Sequence, residues 1–592
     1  MPTARIIKLG LLLAAIVALV AFGATSAAAA VPKAADTVLK HAYVYTVNAK
    51  QPKAQAVAIR GGKVVYVGSN AGVRAYIGRG TKVRDLGGKL LMPSFGDAHC
   101  HPSAAVSFLY AANLYGLGSL QDYLDAVSAF AKANATLASI QGNGWSEALF
   151  PGIGPLRADL DTAVSDRPVA LWSDGHHSLW VNSAALTLAG INGTTPDPIG
   201  GVIERIPGTI GLPESPKGVP SGTLRESATD MMMAVFPDFT VDQYLDGIRF
   251  FQSDIANRLG ITLVQDSVLI PSSNAVAAYE QLAKSGELTV RVRGSLELFP
   301  NQDLQPQLDA AVAERALHKT QLFKTDAAKF FADGVIEGHT GYLLEDYADR
   351  KGFRGVPIWQ PTAFNKAMKA ADKAGMQIHV HAIGDAAVSE SLDAIAYAVA
   401  VNGARDRRPM ITHLQLVDPD DILRMANLHV TALPQPYWFL MDDYYWNLQL
   451  PFLGQVRADL EYPMKSFFAA GVNVASSSDF PVTSEPDPLM GMQVGVMRWA
   501  PTSAMGGTIP AGDVLWPAER VTIKQMIRSF TINGAKANFL EKQTGSIKVG
   551  KSADMVVVKT NLLTCDPKDI GTGNKVLLTL FRGKVVYNGS NP

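Results

Sequence analysis

Cysteine is almost missing from this chain: Cys100 and Cys565 are the two thiols in 592 residues. A disulfide framework is thereby excluded, and stability has to come from a buried core. Net charge is missing as well, since Lys+Arg and Asp+Glu each number 53. That balance leaves no overall field to draw the chain onto nucleic acid or an acidic lipid surface, so the expected partner is a small molecule, with oligomerisation left open. Beyond the first thirty residues the chain has no apolar run of the roughly 20 residues that span a bilayer.

The N-terminus is the exception. Arg5 and Lys8 precede an apolar run from Leu11 to Phe22 and a small-residue stretch from Gly23 to Ala30. A cationic start, a short apolar core and an Ala-x-Ala-like exit read as a cleavable secretory signal over residues 1–30, with the mature chain beginning near Val31. The expected location is the periplasm or outside the cell. A retained anchor is the competing reading, because the apolar run and its Ala-rich tail together approach a membrane span.

With 47% hydrophobic residues the chain can bury a large core, and its length calls for a big domain with a smaller companion. The segment Gly61-Gly62-Lys63-Val64-Val65-Tyr66-Val67-Gly68-Ser69-Asn70 returns near the end as Arg582-Gly583-Lys584-Val585-Val586-Tyr587-Asn588-Gly589-Ser590-Asn591. Alternating strands with Gly/Asn turns at both termini predict one β-sandwich assembled from residues 31–92 and 543–592. Between them, residues 93–542 alternate β-rich segments with helical patterns, the signature of an α/β fold with a parallel sheet. Eight candidate strands end near His101, Asp266, Leu298, Asp333, Ile383, Gln415, Gln435 and Asp479, which predicts a (β/α)8 TIM barrel with its chemistry at the strand ends. The connection from about 105 to 245 is too long for a simple crossover. It carries Trp145, Trp172 and Trp180 and predicts an inserted subdomain walling the site.

Chemistry-bearing residues gather at those strand ends. His99 and His101 lie two apart and so point to the same side of a strand, where both can aim at one ion. His379 and His381 end the fifth strand, His413 the sixth and Asp479 the eighth. Five of the 11 histidines and one aspartate thus converge on one face of one expected barrel.

This arrangement resembles the amidohydrolase superfamily, and within it the YtcJ-like branch (amidohydrolase family 3) that includes N-substituted formamide deformylases. Supporting motifs are Asn143-Gly144-Trp145, Leu179-Trp180-Val181-Asn182-Ser183, Gly222-Thr223-Leu224-Arg225-Glu226, Ala382-Ile383-Gly384-Asp385 and the run from Gly545 to Asp554. The resemblance implies that His99, His101 and Asp479 bind a buried divalent metal, with zinc expected, and that His381 and His413 bind a second. Lys329 matches the fourth-strand lysine that relatives carboxylate to bridge two ions, although a plain lysine beside a single ion is the alternative. Either histidine of the His379/His381 pair could ligate, and His381 fits the family motif better. Thr412 stands where many relatives carry glutamate, so the support of His413 is expected to differ. The resemblance also implies that His177 lines the substrate pocket. Trp145, Glu337, His339 and His379 are further candidates for facing substrate, and Tyr437 and Trp438 are candidates for pocket wall or for packing.

The implied reaction is hydrolysis of a non-peptide carbon-nitrogen bond, in an amide or N-substituted formamide, with Asp479 as the proton-transferring catalytic group. Ester, lactone or cyclic-amide hydrolysis at the same centre is one alternative. A non-catalytic exported binding or regulatory protein is another.

Overall fold

The computed structural model describes residues 32–318, 320–501 and 513–589. The expected signal segment, residues 1–30, lies outside them. At the centre is one parallel sheet of eight strands: Phe95–Cys100, Ile261–Leu269, Arg291–Glu297, Phe323–Phe331, Gln377–Ala382, Met410–His413, Thr431–Leu433 and Asn473–Val474, each paired with the next. These are the eight segments that the sequence pattern marks. They are buried almost end to end, as strands covered on both faces must be. After the eighth strand the chain returns to the first: Asp479 N–H donates to His99 O at 2.8 Å and His101 N–H to Phe480 O at 2.7 Å. The sheet therefore curls into a TIM-like barrel.

Helices follow the strands and cover the barrel. Asn274–Ser285 shows why they form where they do: the Ser273 hydroxyl caps Val276 N–H, and Gly286 at φ +77° ends the helix. Its Ala275, Val276, Ala278, Tyr279 and Leu282 make the buried stripe.

The long connection after the first barrel strand builds its own six-stranded sheet from strands between Ala112 and Glu226. Trp145 and Trp180 are fully buried in its apolar core with Tyr123, Leu160 and Leu171. Another six-stranded sheet draws on both ends of the chain, pairing Met555–Val558 with Leu90–Pro93. A four-stranded sheet of N-terminal segments shares an apolar cluster with it, in which Leu39, Val57 and Ile59 meet Leu91, Met555 and Leu580. The two similar sequence segments abut at their turns. A Cβ on Gly62, at φ +73°, would fall 2.7 Å from the Arg582 carbonyl oxygen, so that turn requires glycine.

One buried contact ties this terminal sheet to the barrel. Arg291, on the third barrel strand, places Nη1 2.6 Å from Asp554 Oδ2 and donates from Nη2 to Ser552 Oγ at 3.0 Å. Asp554 also accepts from Thr544 Oγ1, Ser552 Oγ and the backbone N–H of Arg582, each at 2.8 Å.

Candidate metal centre

Strand alternation points Asp97 and His99 into the barrel, and His101 follows just beyond the strand's end. His99 Nε2 lies 3.2 Å from Asp479 Oδ1, and His101 Nε2 lies 3.1 Å from the same oxygen. Ligand-capable atoms of these three residues all fall within 4.8 Å of one another. Asp479 reaches this point from a left-handed backbone, φ +59°, and His413 from φ +72°. Side chains rarely adopt that region, and it recurs where a functional geometry is imposed on the chain.

The protonation states suit a cation. Burial, with the Lys329 charge nearby, holds His99 well below the usual imidazole range. Burial likewise lowers His381 well below it and brings His413 down to about 3. For Asp479 burial pushes upward, yet the hydrogen bonds from His101 and His99 prevail and keep the carboxyl well below its ordinary value. Two imidazole nitrogens converging on one carboxylate oxygen are the donor set of a divalent transition metal, so His99, His101 and Asp479 fit such an ion.

His413 and His381 stand next to this trio, with ring centroids 5.1 Å from His99 to His413 and 4.4 Å from His413 to His381. Lys329 is 1% exposed, and burial lowers its amine to about 7 against the pull of Asp479 and Glu297. The residues open onto a cavity of about 580 Å³ whose walls include Trp172, Phe236, Phe299, Phe331 and Trp359.

The profile of the amidohydrolase family matches residues 82–587. The chain belongs to that family. YtcJ of Bacillus subtilis is 28% identical over 93% of this chain and 98% of its own. The N-substituted formamide deformylase of Arthrobacter pascens is 26% identical over the same shares. Among solved structures, an uncharacterized metal-dependent hydrolase of Pyrococcus horikoshii superposes with a TM-score of 0.67 at 22% identity, over 90% of this chain and 99% of that one.

In this amidohydrolase, His99, His101, Lys329, His381, His413, Asp479 and His177 all line the one cavity. His177 comes from the inserted subdomain, its ring centroid 4.9 Å from that of His381. Burial works against its cation, but Glu226 Oε2 lies 2.7 Å from Nδ1 and raises the imidazole to about 9. The Glu226 pairing thus favours the imidazolium form of His177.

Four of the residues expected to face substrate lie elsewhere. Trp145 is 0% exposed in the core of the inserted subdomain, with Nε1 donating to Leu171 O at 2.8 Å. His339 turns outward to Asp349, Nε2 to Oδ2 2.9 Å, and packs on Phe452. Glu337 accepts from Gln449 Nε2 at 3.0 Å and does not reach the cavity wall. His379 sits behind the centre, with Nε2 2.8 Å from His99 Nδ1. The first and last of these miss for opposite reasons: the indole fills a core, whereas the imidazole supports a ligand rather than facing solvent. Of the two undecided aromatics, Tyr437 packs on Phe530, while Trp438 stacks over His413 at 5.7 Å. Cys100 points away from the centre, as alternation requires, and is buried in the main core.

Other supports went unmarked in the sequence reading. Gln435 is fully buried, with Oε1 3.1 Å from His413 Nδ1 while Nε2 donates to Thr412 Oγ1, Leu433 O and Ser477 Oγ. It supplies the support that Thr412 alone cannot. Asp97 accepts from the Ser478 backbone and hydroxyl and from His99 N–H, although burial pushes its carboxyl up to about 7. The signal for Asp97 was present, since it continues the two-residue spacing of His99 and His101. Glu226, at φ +48°, carries no signal of its own beyond the Gly222–Glu226 motif.

Proposed function

We propose that this chain is an exported metal-dependent hydrolase that cleaves the carbon-nitrogen bond of an amide or N-substituted formamide. The observation that carries the reading is the convergence of His99 Nε2, His101 Nε2 and Asp479 Oδ1 at the floor of a cavity large enough for a small molecule. The deformylase relative supports the bond type. The aromatic walls favour an apolar substituent on nitrogen. Export is supported by the order of charged, apolar and small residues in positions 5–30.

His99, His101 and Asp479 would hold a divalent ion, zinc being the best match to this donor set, and that ion would supply Lewis acidity toward a carbonyl and toward water. The rest falls to the chain. Asp479, ionised and buried, accepts the proton of the attacking water and returns it to the departing nitrogen, acting first as general base and then as general acid. His177 has Nδ1 occupied by Glu226, so Nε2 is left to donate a hydrogen bond to the carbonyl oxygen as negative charge develops there. His381 and His413 provide two more nitrogen donors for a second ion. Lys329, with its amine lowered to about 7, has a neutral fraction able to attack carbon dioxide. The new N–C bond and the loss of one proton leave a carbamate, which removes the repulsion between an ammonium and a cation.

An amine-release screen over formamides and amides, run beside esters and lactones, tests this reading. Release of amine from at least one N-aryl-alkyl formamide or amide is expected, lost in Asp479→Asn. Turnover confined to esters or lactones would replace the carbon-nitrogen assignment, and no turnover of any class in the metal-loaded protein would refute hydrolysis.

A further inference from the structure

Five buried side chains, four on barrel strands and Asp479 in the segment after the eighth, form one hydrogen-bonded line. Gln265 Nε2 donates to Ser295 Oγ at 2.8 Å, Ser295 Oγ lies 2.8 Å from His379 Nδ1, and His379 Nε2 lies 2.8 Å from His99 Nδ1. The line ends where His99 Nε2 meets Asp479 Oδ1 at 3.2 Å. Gln265, Ser295, His379 and His99 are each at most 1% exposed. Bulk water therefore cannot complete their hydrogen bonds, and the protons must be placed so that each donor meets an acceptor.

One placement does this in the ion-free centre. Ser295 donates its hydroxyl proton to His379 Nδ1, His379 carries its proton on Nε2 and donates to His99 Nδ1, and His99 carries its proton on Nε2 and donates to Asp479. An ion needs the His99 Nε2 lone pair, which this arrangement blocks. The remedy is reversal of the line. With the proton of His99 on Nδ1 it donates to His379 Nε2, and with that of His379 on Nδ1 it donates to Ser295 Oγ. The Ser295 hydroxyl then turns to Gln265, whose Oε1 is buried without a partner as the amide now stands and faces Ser295 after a half-turn. Both directions hold the same number of protons and no net charge. His99 can thus open its lone pair without leaving a buried cation, which a site closed to water disfavours.

We propose that His379 is a positioning residue that sets the tautomer of His99, and that the Gln265–Ser295–His379–His99 line reverses direction when a metal ion binds. The proposal rests on the metal-centre reading above. It also explains why the fifth strand carries two histidines: His381 faces the cavity, and His379 serves a ligand from behind.

The test uses the full mature chain, stripped with chelator and titrated with Zn²⁺ against a chromophoric competitor, together with ¹⁵N NMR of histidine-labelled protein. In the wild type, the rings of His99 and His379 are both expected to change from the Nε2–H to the Nδ1–H tautomer on zinc binding. His379→Leu, which cannot accept from His99 Nδ1, is expected to weaken zinc binding by about 10- to 100-fold, as loss of outer support does elsewhere. His379→Gln, which retains an acceptor, is expected to recover most of that loss, and Ser295→Ala to fall between. A folded His379→Leu that binds zinc within twofold of wild type, or rings that keep one tautomer throughout, would overturn the proposal. Should no variant at position 379 fold, Ser295→Ala and the wild-type NMR decide. A wild type that binds no zinc would instead overturn the metal-centre reading, and the relay with it.

Discussion

Replacing Asp554 tests how the terminal sheet is fastened to the barrel. The carboxylate is 0% exposed and the Arg291 side chain 5%, so Asp554→Ala leaves a guanidinium buried with its main counter-charge gone. It also removes the acceptor for Thr544, Ser552 and the backbone of Arg582. Breaking a buried pair from one side costs about 3–5 kcal/mol, far more than deleting an exposed one. Arg291 keeps its bond to Ser552 and its place over the Phe581 ring, 4.9 Å from the centroid, and these hold the cost near the lower end. Asp554→Asn keeps an acceptor in place and should cost about half as much. The double variant Arg291→Met/Asp554→Leu removes both charges but still strands the Thr544, Ser552 and Arg582 donors, so it should recover part of the loss. Urea unfolding followed by fluorescence, with the slope of each transition monitored, measures all three. A loss under about 1 kcal/mol in Asp554→Ala, or a double variant no better than the single one, would refute the claim that the buried charge pair carries this joint.

Two further outcomes follow from the site. In chelator-treated protein the protonated His177 stabilises the fold because its folded value, about 9, lies above the unfolded value near 6.5; that stabilisation is complete below pH 6.5 or so and is lost as pH rises through about 9. Glu226→Gln removes the charge that raises it, so denaturation at pH 6, 7.5 and 9.5 should show the decline in the wild type and no such decline in the variant; equal slopes would contradict the pairing. Trp145→Ala should destabilise the inserted subdomain by about 3–5 kcal/mol while leaving metal content intact, since the indole is core and not pocket; an unchanged melting curve would contradict that placement.

The barrel was legible because the parallel strands are short apolar runs, most of them ending at a polar residue, and eight such runs recur between helical patterns. The ligand trio was legible for the same reason, as alternation along a strand fixes where His99 and His101 point. What strand alternation cannot give is what happens after a strand ends. Asp479, His413 and Glu226 all turn through left-handed backbone, which local propensity disfavours and only the surrounding packing enforces. The pocket assignments of Glu337 and His339 failed there, because these residues follow a strand end and their direction is set by loop packing, whereas Trp145 lies on a strand of the inserted sheet and fills its core. His379 illustrates a different limit: its spacing from His381 is that of His99 from His101, yet its ring meets His99 Nδ1 while His381 lines the cavity. Gln435 carried no signal, since a lone glutamine at a strand end marks support only when the histidine beside it is known.

The central claim is that His99, His101 and Asp479 hold a cation, and the direct measurement is the metal stoichiometry of the purified chain by elemental analysis. The account predicts at least one equivalent of a divalent transition metal per chain in the wild type, and loss of that equivalent in a folded His99→Ala/His101→Ala variant. A reconstituted wild type without bound metal, or a double variant that keeps the full complement, would contradict it.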